Sequence, residues 1–137
     1  MVRRLKKNRR GLATVEMALV LPLLLMLTMG AIQFGWLFLK AQQITNAARM
    51  GARTAVLPDA TDTGVRANIL ALMTAGGMGA SGYSVTFTPT DITSLNVGDF
   101  LTVRVTVPCA KINIIGTALL PAPANLIGEV TMAKEGF

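Results

Sequence analysis

The chain has 137 residues, enough for one small domain beside a membrane segment, and 52% of them are apolar. Its formal charge is +6, with no histidine and a single cysteine. This inventory excludes an intrachain disulfide and a zinc or haem site of ordinary ligand spacing, and it removes the usual general base of catalysis. The charge is unevenly placed. Arg3, Arg4, Lys6, Lys7, Arg9 and Arg10 all precede Gly11, whereas basic and acidic residues cancel from Leu12 onward. A folded basic patch for nucleic acid is therefore not expected. The basic cluster reads instead as a topology signal, held in the cytoplasm while the rest is sent outward.

Residues 1–11 read as a basic leader without apolar periodicity. From Leu12 to about Val56 the pattern is one long helix with two characters. Met17 to Leu39 carries no charged residue, roughly 34 Å of helix at 1.5 Å per residue, against a hydrocarbon core of about 30 Å. Pro22 is expected to kink this span. Trp36 and Lys40 mark its far end as an interfacial ring and a boundary charge. The second half is small and polar. Ala47, Gly51 and Ala55 recur every fourth residue, and Ala48 with Ala52 forms a parallel stripe, a spacing that lets another backbone come close. Arg49 and Arg53 share an adjoining face. The stripe fits a helix docked on its own domain and fits a contact with another subunit.

Pro58 and Asp59 end the helix. Asp62 or Thr63 is placed to cap a short helix whose apolar positions are Val65, Ile69, Leu72 and Met73, and the run Gly76-Gly77-Met78-Gly79 stops it. Tyr83, Val85 and Phe87 alternate on one strand face, as do Leu101, Val103, Val105 and Val107 on another; Pro89 and Pro108 end these strands. Asn96-Val97-Gly98-Asp99 is the turn region between them. Pro108 to Asn125 is a long connection in which Ile112, Ile114 and Ile115 form a short strand or a buried loop. Ile127, Val130 and Met132 indicate a last strand. The expected fold class is α+β: a long N-terminal transmembrane helix continuing into a small antiparallel-sheet domain with one short helix. The expected divisions are a leader at 1–11, the helix at 12–56 with its span at about 17–39, and a periplasmic domain at 57–137.

No residue pattern supports catalysis. Ser-Lys and paired-carboxylate arrangements are missing, and the glycine run follows a helix and lacks the lysine of a phosphate loop. The chain is expected to be no enzyme and to need no metal, cofactor or small-molecule substrate. Cys109 reads as a partly buried small hydrophobe, with an intermolecular disulfide as the other reading.

The N-terminal residues form a set whose members need one another. A peptidase working at a cytosolic membrane face needs a basic leader on that side and a residue without a side chain at the cut. Gly11 meets the second need. Cleavage there leaves Leu12 as a new N-terminus, and Glu16 then lies one helical turn from its amine. A carboxylate at the start of a span is costly unless paired and is by default functional. The pairing can be met within one subunit or between neighbours offset by about a turn, which would set the axial register of an assembly.

Arg9-Arg10-Gly11, with Glu16 five residues on and then Ala18-Leu19-Val20-Leu21-Pro22, resembles the processing and entry motif of TadE-like pseudopilins, minor pilin-like proteins of tight-adherence (Flp-type) pilus systems. Ala47-Ala48-Arg49-Met50-Gly51-Ala52-Arg53 resembles the alanine, arginine and glycine signature that follows the span in that family. The resemblance implies cleavage by a prepilin peptidase after Gly11, retention of the helix as an inner-membrane anchor, and a part in pilus assembly with other pilin-like subunits. Met17 departs from the aromatic residue often found near this position in major pilins. A secretory signal peptide is a competing reading, disfavoured because the apolar run is too long for it. The main alternative is a signal-anchored periplasmic or surface binding module without pilin processing, in which Gly11 and Glu16 are incidental.

Overall fold

The uncharged stretch does form one long helix, and that helix is the axis of the fold. A computed structural model of the chain describes residues 9–115 and 122–136, with the side chains of Arg9, Arg10 and Leu12 left undescribed. Arg3, Arg4, Lys6, Lys7, Gly116 and Pro121 lie outside the described residues. Helix α1 runs from Arg9 to Ala55, 47 residues, and passes unbroken through Pro22. The described helix already includes Arg9, Arg10 and Gly11, ahead of the expected start at Leu12, because arginine and leucine are good helix formers and one glycine is tolerated. From Ala13 to Met29 it is exposed all round, and Gln33 is its first fully buried residue.

Helix α2 spans Asp62–Ala75. Its N-cap is Thr61, not Asp62 or Thr63: the Thr61 hydroxyl accepts from the Gly64 N–H at 3.2 Å. Asp62 is thereby moved into the first turn, where a carboxylate suits the helix dipole, and it pairs with Arg66 at 2.8 Å. Both partners are about half exposed, so the pair adds little stability. At the other end the Gly76 N–H returns to Leu72 O and the Met78 N–H to Met73 O. Gly77 adopts a φ of +70°, which a glycine takes without strain.

The strands are β1 (Ser84–Thr88), β2 (Phe100–Pro108) and β3 (Asn125–Ala133), joined antiparallel in the order β1-β2-β3. Val103 lies between Phe87 on β1 and Val130 on β3, which defines the register of the sheet. Leu101, Val103, Val105 and Val107 are fully buried on the inner face. Outward residues pair across the strands, with Arg104 on Glu129 at 2.7 Å and the Thr102 and Thr131 hydroxyls 2.8 Å apart. The Asn96–Asp99 turn precedes β2, with Gly98 at a φ of +91° and the Asp99 carboxylate accepting from the Asn96 N–H at 2.8 Å.

β3 forms where a last strand was expected, with its marker residues on both faces. Ile127 is 55% exposed, and the inward set is Leu126, Gly128, Val130 and Met132. Ile127 and Val130 are three apart, so a period of two cannot place both inside. Gly128 takes the inward place because α1 crosses there: a methyl group on Gly128 would lie 2.8 Å from Ile44 O and 2.9 Å from Thr45 Cα. The stretch from Ile112 to Ile115 is a loop after a short 3₁₀ turn, Cys109–Lys111. It buries Ile112 and leaves Ile114 exposed.

Helix α1 packs on the inner sheet face against β2 and β3, and α2 packs against α1. The small stripe of α1 is spent on this contact, since Ala47, Ala48, Gly51, Ala52 and Ala55 are all buried. A methyl group on Gly51 would meet Ile69 Cδ1 at 2.6 Å. Replacing Gly128 by alanine is expected to destabilise the fold by about 1–3 kcal/mol, because a backbone rather than a side chain must move. Ile127→Thr should stay within about 0.5 kcal/mol of wild type. Denaturant unfolding of the full chain in detergent micelles measures both, and an unchanged midpoint for Gly128→Ala would contradict the close helix–strand contact.

Candidate processing and anchoring site

The proposed processing residues stand at the start of α1. Gly11 is exposed, and a side chain added to it would meet no atom within 4 Å. The fold therefore has no steric need for glycine there, although glycine in a helix costs about 0.5–1 kcal/mol relative to alanine. Gly11 lies close to the first described residue of α1. Leu12 follows within the same turn, its side chain undescribed. Glu16 is exposed, and no ion pair to it occurs among the described residues. From Met17 the helix carries no charge until Lys40.

The downstream motif is divided between two environments. Ala47, Ala48, Gly51 and Ala52 face the sheet and α2, whereas Arg49 and Arg53 are exposed on the opposite side of α1. The structure thus separates the arginines from the small stripe, which is occupied within the chain.

Between these two regions lies a polar cluster built around Gln33, a residue that the sequence alone did not single out. Gln33 is 1% exposed although it sits in the apolar run. Its amide donates to Asn113 Oδ1 at 3.0 Å and accepts from the Ile115 N–H at 3.2 Å. The Trp36 indole donates to Ile112 O at 2.8 Å. Lys40 turns inward rather than outward: its ammonium donates to Gly76 O at 2.6 Å and lies 4.5 Å from the centre of the Trp36 ring. The cation meets the carbonyl end of α2, where helix polarity favours it. These contacts correct the reading of Lys40 as a boundary charge, since it ties α1 to α2. A glutamine in an otherwise apolar run was the one available signal, but its partners lie some eighty residues away in sequence.

Cys109 is 1% exposed, and burial pushes its thiol pKa up. A buried thiol held in its protonated form is a poor nucleophile, which removes it from intermolecular disulfide chemistry in the folded chain. A thiol-alkylating reagent should label it only after denaturation. Labelling of the native protein at the rate of a free thiol would contradict this burial.

The comparisons with known proteins bear on the same helix. No curated protein and no solved structure matches the chain. Residues 11–53 match the family model described as TadE-like protein. The match opens at Gly11, runs through Glu16 and the apolar helix, and ends at Arg53, leaving α2 and the sheet outside it. The chain thus carries a TadE-like segment from Gly11 to Arg53.

Proposed function

We propose that the protein is a minor pseudopilin of a tight-adherence pilus. In this reading it is a structural component and no enzyme, cleaved by a prepilin peptidase between Gly11 and Leu12. The observation that carries the reading is that the TadE-like match opens at Gly11, a glycine for which the fold has no packing use. The long apolar helix is compatible with a single-pass anchor in the inner membrane. The basic leader sets its N-terminus in the cytoplasm, which puts the domain from Pro58 onward in the periplasm.

The chemistry of the first turn follows from hydrolysis of one peptide bond. The Gly11 carbonyl becomes a carboxylate on the released leader, and the Leu12 nitrogen becomes a free amine. Four residues separate Leu12 from Glu16, about 6 Å of helix rise, so the new cation and the carboxylate lie on neighbouring turns. In hydrocarbon either charge alone is unfavourable, and a pair restores the balance. A Glu16 without an ion pair among the described residues suits a partner that is either this amine or the amine of an adjacent subunit.

Gly11→Leu is expected to block maturation, leaving a band heavier by the leader on electrophoresis. Glu16→Ala should leave cleavage intact and impair pilus assembly, as counted by electron microscopy of sheared filaments. Normal pili with Glu16→Ala would remove Glu16 from assembly.

A further inference from the structure

A domain on a stalk would leave bare helix between the membrane and the fold, and this chain leaves none. Counted from Met17, the first residue past Glu16, a hydrocarbon core of about 30 Å takes about 20 helical residues and reaches Trp36. The domain already grips α1 at that depth. Ile112 O is bonded by the Trp36 indole, and Asn113 and Ile115 are bonded by Gln33. The loop from Ile112 to Ile115 therefore lies where the hydrocarbon ends.

The residues at this level suit lipid. Ile114 is 55% exposed beside that loop, and Phe34 and Phe38, one turn apart on α1, are 53% and 67% exposed. The two phenylalanines line an open apolar groove with Pro123 and Leu126. Ile112 to Gly128 contains no charged residue. Lys40, which would otherwise put a cation beside the groove, is folded inward onto Gly76. Lys111, immediately before the loop, is exposed, and its long stem can carry the ammonium to headgroup level while apolar neighbours stay below.

We infer that this rim, formed by Ile114 and the Phe34–Phe38 groove, is a lipid-contacting surface that seats the domain directly in the outer boundary of the bilayer. The inference rests on the membrane-anchored reading of α1. Lipid is the occupant because the rim is continuous with the surface of α1 that is exposed all round from Ala13 to Met29, and because Lys111 suits phosphate headgroups. The seating holds the sheet upright, since β3 begins near Phe38 and ends beside Val56, where the Glu135 N–H meets Val56 O. The Asn96–Asp99 turn is then presented at the end away from the membrane, where the Gly98 N–H bonds Lys134 O.

The test places a nitroxide at one cysteine at a time in full-length protein carrying Cys109→Ala, reconstituted in phosphatidylethanolamine and phosphatidylglycerol vesicles. The sites are Leu25→Cys, Ile114→Cys and Val97→Cys, all exposed positions. Collision with oxygen reports hydrocarbon, and collision with a water-soluble nickel chelate reports solvent. The expected result is an oxygen-to-chelate ratio at 114 near that at 25 and well above that at 97. A chelate-accessible 114 with an oxygen-accessible 25 would overturn the lipid rim and leave the anchor standing. Chelate access at 25 would overturn the anchor and the rim with it. Spin–spin broadening at 114, with neither probe reaching it, would assign the rim to a second copy instead of lipid.

Discussion

The fold depends on how closely α1 approaches the sheet. Where the helix passes Ile44 and Thr45 it leaves no room for a side chain on β3, and Gly128 fills that place. The same closeness accounts for the alanines at 47, 48, 52 and 55, all buried, and for Gly51 facing Ile69 and Val103. Small residues on the helix and one glycine on the strand let two backbones meet, and the larger apolar side chains of β2 and α2 fill the space around that contact. Without the close approach, α1 would have no reason to be buried on one face and bare on the others.

One helix thereby carries two kinds of surface. Its first half is apolar all round and exposed, as a segment facing lipid must be, and its second half has one face matched to a protein core. The join is made by Gln33, Trp36 and Lys40, whose polar groups are satisfied by Asn113, Ile112, Ile115 and Gly76. Buried polar groups that are satisfied cost little, whereas the same glutamine or lysine left unpaired in apolar surroundings would be costly. The domain is thus tied to the long helix where its apolar stretch ends.

The parts of this arrangement that could be read in the sequence are those with a strict local period. β2 was legible because Leu101, Val103, Val105 and Val107 alternate without interruption, and α2 because Val65, Ile69 and Met73 recur on one helical face. β3 was located from Ile127, Val130 and Met132, but Ile127 and Val130 are three apart and fall on opposite faces, so that pattern did not say which face is inward. Thr61 was passed over as a cap because Asp62 and Thr63 are equally good capping types, and only backbone geometry separates them. The inward turn of Lys40 had no local signature, and Gln33 stood out only as a glutamine in an apolar run, because their partners come from loops distant in the chain. At the N-terminus Gly11 and Glu16 stood out for the opposite reason: Gly11 is a weak helix former, and Glu16 is a lone charge beside an uncharged run with no ion pair among the described residues.

The central claim is that α1 is a processed membrane anchor whose mature chain starts beside Glu16. The most direct measurement is the N-terminal residue of the natural protein, by intact mass or terminal sequencing, in cells with and without the prepilin peptidase. The account predicts a start at Leu12 that depends on the peptidase. A start at Met1 in both strains, or one near Ile32, would contradict it.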